Sequence, residues 1–256
     1  MRENMQFKKL KIRNEAGQVL SARLDFAANG NTKAYALFAH CFTCSKNLKA
    51  IAHISSALIS EGIAVLRFDF TGLGESEGDF ADTNLSSNVG DLVAASDFLK
   101  THFKAPRILI GHSFGGAAVL QAASAIPSSK AIVTIAAPAD PAHVRHVLGS
   151  VEETIEHQGE AEVNLVGRTF RIKKQFLDDL TLVNMQETLR KLNRALLIFH
   201  SPIDDIVGIE NAAQIFQAAR HPKSFISLDK ADHLLTDSND SRYVGKVIAA
   251  WALRYV

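Results

Sequence analysis

The segment Ile110-Gly111-His112-Ser113-Phe114-Gly115-Gly116 combines the residue types that nucleophilic catalysis needs. It reads G-x-S-x-G and lies between the apolar run RILI and the helix-forming stretch GGAAVLQAAS. A strand turning sharply into a helix holds the residue at the turn in a strained backbone and presents its side chain above the sheet. Gly111 and Gly115 remove Cβ atoms that would collide across that turn, and Gly116 lets helix and sheet approach closely. The helix N-terminus then lies behind Ser113, where its N–H groups favour developing negative charge. The pattern occurs a second time, as Gly74-Glu75-Ser76-Glu77-Gly78, in a glycine-rich acidic loop with no helix after it. Two flanking carboxylates oppose an alkoxide, so Ser76 is read as a loop-ordering residue and Ser113 as the nucleophile.

A serine hydroxyl is a poor nucleophile without a base to take its proton, and that base needs an orienting acid. In strand–turn–helix sites of this kind the chain order is serine, acid, histidine. Two histidines, His221 and His233, follow the acids of the 200s. His221 precedes a strand, on the side away from the expected site, whereas His233 lies in a loop beyond the end of the run SFISLD. His233 is therefore the base. For the acid, the run ALLIFH leads into Ser201-Pro202-Ile203-Asp204-Asp205-Ile206-Val207. Both aspartates fall past a strand end, where ligand chemistry concentrates in open α/β sheets. Asp204 is favoured, with Asp205 as a cap or solvated neighbour. Asp232 is too close in sequence to His233 to orient its ring.

Acyl transfer also needs donors for the tetrahedral oxyanion. One is the N–H of Phe114, next to the nucleophile. The other should come from the loop His40-Cys41-Phe42-Thr43-Cys44-Ser45, where Phe42 is the candidate and Cys41 is next. Cys41 and Cys44 form C-x-x-C, which admits a rival reading as a redox dithiol at a helix start. Zinc is disfavoured because no second pair stands at suitable spacing. The preferred role of the cysteines is packing within the oxyanion loop.

These residues require a scaffold. FKKLKIRN and VLSARLDF alternate with period two around Glu15-Ala16-Gly17, an opening hairpin. AYALFAH, IAVLRFDF, RILIGH, AIVTIAA, ALLIFH and SFISLD are continuous apolar runs of the kind found in parallel strands buried on both faces. Helices are predicted between and after them over 46–60, 84–103, 113–125, 209–219 and 238–253. This rhythm gives an α/β domain, read as one unit over 1–256. Its one interruption is 141–193. There Val144, Val147, Leu148, Val151 and Ile155 recur at helical spacing. A hairpin turning at Gly167-Arg168 would follow, setting Leu165 opposite Phe170 and Val163 opposite Ile172. The segment is expected to lie over one end of the sheet as a cap-like insertion, with Phe170 and Cys41 lining a substrate pocket.

The chain has 256 residues, is 47% hydrophobic and carries 28 basic against 27 acidic residues, for a net charge of +1. That length can bury a sizeable core, and the near-neutral balance gives no electrostatic reason to expect nucleic acid or an anionic membrane as partner. No stretch approaches the ~18 apolar residues that span a bilayer. The opening MRENMQFKKLKIRNEAG lacks a signal-peptide apolar core, so the expected location is cytoplasmic. With only two cysteines, close together, no disulfide framework is expected.

Taken together, the motifs resemble those of α/β-hydrolases. Gly111-His112-Ser113-Phe114-Gly115 is similar to that family's nucleophile elbow, and Asp69-Phe70-Thr71-Gly72-Leu73-Gly74-Glu75-Ser76 to its D-x-x-G-x-G-x-S loop. Ser201 to Val207 resembles G-x-x-D-x-x-V, which supports Asp204, and Ala231-Asp232-His233 resembles the end of the triad. HCFTCSKNLKA, FDFTGLGESEGDF, GRTFRIKKQFLDDL and HPKSFISLDKADHLL are similar to the hydrolase half of proteins fused to an OsmC-type domain. Two positions depart from the pattern: Cys41 replaces the usual glycine after His40, and Ser201 replaces the glycine before the acid loop.

The resemblance implies an α/β-hydrolase fold: a mostly parallel central sheet, an N-terminal antiparallel hairpin, helices on both faces and a small insertion over the strand ends. It implies a serine hydrolase acting on small acyl esters or thioesters through an acyl-enzyme, with no cofactor and no metal. Acyltransfer, peptide cleavage or C–C hydrolysis on the same fold are the alternatives. A thiol-redox protein, or a non-catalytic partner of an OsmC-like protein, is the alternative of another class. A small acyl molecule is the expected partner, with a homodimer or an OsmC-like protein as compatible associations.

Overall fold

The computed structural model describes residues 5–165 and 167–256; residues 1–4 of the leader reading and Val166 of the hairpin reading lie outside them. Two long strands, β1 (Met5–Arg13) and β2 (Val19–Ala27), form the opening antiparallel hairpin. Then come β3 (Ala34–Ala39), α1 (Lys49–Ser60), β4 (Ile63–Phe68), α2 (Leu85–His102), β5 (Ile108–His112), α3 (Phe114–Ala122) and β6 (Ala131–Ile135). The insertion contributes α4 (Arg145–Leu148), α5 (Val151–Gln158), β7 (Glu160–Leu165), β8 (Arg168–Lys173), α6 (Lys174–Thr181) and α7 (Met185–Lys191). The chain closes with β9 (Ala195–His200), α8 (Glu210–Ala218), β10 (Lys223–Ser227) and α9 (Ser238–Ala252).

The strands form an eight-stranded sheet in the order β1-β2-β4-β3-β5-β6-β9-β10. β2 pairs antiparallel with β1 and β4; every other neighbour pairs parallel. Every residue of β4, β5, β6 and β9 is buried, as continuous apolar runs demand of strands covered on both sides. Alternate residues feed opposite faces. Leu37, Leu109 and Leu196 join the core built with α2, α3, α8 and the insertion, whereas Phe38, Ile110 and Leu197 join the core built with α1 and α9. Among the described residues, no helix is long and apolar enough to cross a membrane.

The insertion leaves the carboxyl end of β6, and its hairpin buries Val163, Leu165, Phe170 and Ile172. The apolar face is as predicted, but the register is not: Val163 pairs with Phe170 and Leu165 with Arg168. The turn comes one residue earlier, with Gly167 at φ +74 inside it. A two-residue shift of pairing leaves each side chain on its face, so face burial alone could not select between the registers. The insertion is fastened to the start of α2. Asn84 and Ser87 form a reciprocal capping box there, and Asp179 accepts from the N–H (3.0 Å) and hydroxyl (2.5 Å) of Ser86. A carboxylate on the first turn of a helix also meets the positive end of its dipole.

Candidate active site

Ser113 stands between β5 and α3 with φ +54 and ψ −125, a conformation L-residues rarely adopt. The surrounding backbone holds it there: its N–H donates to the Ile135 carbonyl at 2.8 Å, and its own carbonyl accepts from the Gly116 N–H at 2.7 Å. A Cβ on Gly115 would lie 2.4 Å from the His40 carbonyl oxygen, so only glycine lets α3 start this close to the loop after β3.

His233 follows β10, in a loop shaped by the Ala231 N–H donating to the Leu228 carbonyl and by Asp232, whose carboxylate takes the N–H and hydroxyl of Thr236. Its Nε2 lies 2.9 Å from Ser113 Oγ, and its Nδ1 lies 2.8 and 3.0 Å from the two carboxylate oxygens of Asp204. Asp204 in turn accepts N–H bonds from Ile206 (3.0 Å) and Val207 (2.9 Å). Burial pushes its carboxyl up, but the His233 hydrogen bond and these backbone donors outweigh burial and hold it below the usual range. Asp205 is exposed on the same loop, and His221 is exposed elsewhere. The loop also receives the insertion, because a ring nitrogen of His143 meets the Ile206 carbonyl at 2.9 Å.

Three further histidines, His40, His112 and His200, are buried around these loops. Burial lowers all three below the ordinary imidazole value, His112 to about 4. The sequence reading missed them as site residues. The signal was present, since AYALFAH, RILIGH and ALLIFH each close an apolar run with histidine.

Phe42 and Phe114 come together past the ends of β3 and β5, their rings 5.2 Å apart. Cys41 and Cys44, expected to pack within this loop, are joined as a disulfide that brackets Phe42. Phe170 is buried against Phe80 (4.9 Å), and Phe80 in turn meets Phe42 (5.4 Å). Phe176 of the insertion meets this loop directly, its ring 5.2 Å from Phe42 and 6.0 Å from Phe114. Phe170 therefore meets the Phe42 ring through Phe80.

Ser76 is held as a loop residue: its hydroxyl donates to the Asp69 carbonyl (2.6 Å) and accepts the Ser21 N–H (2.9 Å). An arrangement of hydroxyl, imidazole and carboxylate in line, like that of Ser113, His233 and Asp204, can remove a proton from the hydroxyl as it attacks an electrophilic carbon.

Comparison with known proteins agrees with this fold. Residues 36–246 match the model of the Alpha/beta hydrolase family. Among solved structures, the esterase domain of a Rhodothermus marinus protein is 56% identical, with a TM-score of 0.81 over 98% of this chain and 99% of that one. Est1E from Butyrivibrio proteoclasticus, solved with ferulic acid bound, shares the fold at 22% identity and a TM-score of 0.84, covering 96% of this chain and 98% of that chain. Mouse ABHD10, named a mitochondrial palmitoyl-protein thioesterase, is 27% identical over 200 residues, 75% of this chain and 66% of its own length.

Proposed function

This chain belongs to the alpha/beta hydrolase family, and we propose that within it the protein is a serine esterase or thioesterase for small acyl substrates. Ser113 Oγ attacks the acyl carbonyl carbon while His233 Nε2 takes the hydroxyl proton. Asp204 stabilises the resulting imidazolium and keeps its Nε2 aimed at the serine. The N–H groups of Phe114 and Phe42 receive the charge that develops on the carbonyl oxygen. Collapse of the tetrahedral intermediate expels the alkoxide or thiolate, which His233 protonates, and leaves an acyl-serine. Water, deprotonated by the same imidazole, then releases the acid and restores the hydroxyl.

The observation that carries this reading is the continuous contact from Ser113 Oγ through His233 to Asp204, 2.9 and 2.8 Å in its two links. The names of the similar proteins favour oxygen esters and thioesters over the other reactions of this fold. The insertion 141–193 would form one wall of the acyl site, with Phe176 nearest the oxyanion loop and Phe170 behind Phe80.

A fluorophosphonate probe tests the reading: it should label the protein, and labelling should vanish in Ser113→Ala. Hydrolysis of p-nitrophenyl acetate should vanish with it. The disulfide supports one rival, a dithiol–disulfide protein. In that case Cys41→Ser with Cys44→Ser should abolish function while Ser113→Ala spares it. The esterase reading expects the double cysteine variant to keep much of its hydrolysis.

A further inference from the structure

The rings of His112 and His200 make no hydrogen bond to Ser113, yet each reaches a loop that carries one of its two partners, and His200 Nε2 also lies 3.8 Å from Asp204 Oδ2. His112 is the last residue of β5, and its Nε2 lies 2.7 Å from the main-chain carbonyl oxygen of His233 itself. His200 is the last residue of β9, and its Nε2 lies 2.7 Å from the carbonyl oxygen of Val207, whose N–H is bonded to Asp204. A carbonyl oxygen can only accept, so in both rings Nε2 carries the proton and donates. No protein group donates to the opposite nitrogen, Nδ1, of either ring. Leaving a buried ring nitrogen without a partner is unfavourable, and each ring keeps a single hydrogen bond, directed at the loop it meets.

The strand register separates the two contacts. His112 pairs with Ile135, and Ile135 pairs with Phe199. Partners in register share a face of the sheet, so His200, one residue beyond Phe199, points to the opposite face from His112. His112 accordingly lies with Ile51, Ile54 and Leu235 under α1. The base loop is tied to a strand end from one side of the sheet and the acid loop from the other.

We propose that His112 and His200 are positioning residues, each donating one ring N–H to fix where the base or the acid of the Ser113–His233–Asp204 relay stands. The proposal rests on the esterase reading for its effect on rate. Its effect on the loops is independent of that reading. Each ring acts through a loop carbonyl rather than on Ser113, so the loss should fall on the chemical step. A relay displaced by ~1 Å costs on the order of 100-fold in rate.

The experiment uses the full chain with His112→Ala, His112→Gln, His200→Ala and His200→Gln beside Ser113→Ala. A glutamine amide can donate to the same carbonyl. Each alanine variant should lower kcat for p-nitrophenyl acetate by about 10- to 100-fold with KM within about twofold, and each glutamine variant should recover most of the loss. Amide hydrogen exchange should quicken over 231–236 in His112→Ala and over 204–208 in His200→Ala, each in its own loop only. Folded alanine variants with unchanged exchange in those loops would overturn the proposal, as would glutamine variants as impaired as alanine. If Ser113→Ala keeps its activity, the esterase reading fails, and the exchange pattern alone decides whether the rings position the loops.

Discussion

The two copies of G-x-S-x-G occupy different physical settings. Around Ser76, carboxylates do structural work: Lys46 Nζ bridges Asp69 (2.5 Å) and Glu75 (2.6 Å), and Glu77 accepts the Val19 N–H (2.9 Å). The serine hydroxyl is spent on the backbone of its own loop and of β2. Around Ser113 the nearby ionisable groups are imidazoles and one carboxylate, and the hydroxyl faces His233. A helix begins behind one serine and a turn-rich loop surrounds the other. The same five-letter pattern thus yields a loop tie where it meets fixed charges, and a hydroxyl turned toward an imidazole where it meets a strand end and a helix start.

Exchanging the two hydroxyls for hydrogen tests the contrast most severely. Ser113→Ala should lower kcat by at least about 10,000-fold, as loss of a triad nucleophile does elsewhere, and leave the melting temperature almost unchanged. Ser76→Ala should do the opposite. It strands the Ser21 N–H and the Asp69 carbonyl and costs about 1–2 kcal/mol in urea unfolding, while hydrolysis by the folded protein persists. Equal loss of activity in both variants would erase the distinction between the copies.

The acid loop provides the next largest contrast. Asp204→Asn keeps the shape of the side chain but removes the charge that stabilises the imidazolium, so kcat should fall by about 1,000- to 10,000-fold. Asp205→Asn, one residue away and exposed, should change kcat less than about threefold, as surface substitutions away from the chemistry do. Parallel pH–rate profiles of the two variants are the measurement.

The smallest effect concerns acid. His112 has a folded value of about 4 against 6.5 for a free imidazole. Between those values the unfolded chain binds the proton and the folded chain does not, so stability is lost as pH falls from 6.5 towards 4. The total from this ring is on the order of 3 kcal/mol. His40 and His200 shift in the same direction. His112→Gln should therefore lose less stability than the parent between pH 7 and pH 4.5 in urea titrations. Superimposable losses would mean that His112 is already free to protonate in the folded protein.

Much of this molecule is legible in its residue order. The alternation of the opening hairpin, the six apolar runs and the five helices between and after them are local signals, and each element forms within a few residues of its predicted span. Ser113, His233 and Asp204 could be picked out as candidates because a serine elbow, a strand-end acid and a late histidine have fixed places along the chain, and the fold brings the three side chains into contact. The hairpin register could not be chosen, because a two-residue slip preserves the apolar face.

Residue order and hydrophobic period alone specify the strands, the turn that strains Ser113 and the candidates for its partners, since those depend on neighbours a few positions away. Folding alone determined that residues 113, 204 and 233 meet within 3 Å, that Phe176 meets the Phe42 ring directly while Phe170 meets it through Phe80, and that the histidines closing β5 and β9 reach the carbonyls of His233 and Val207. Those contacts join residues up to 121 positions apart. They arise where a twisted parallel sheet gathers its carboxyl ends, and no local pattern encodes which of those ends will touch.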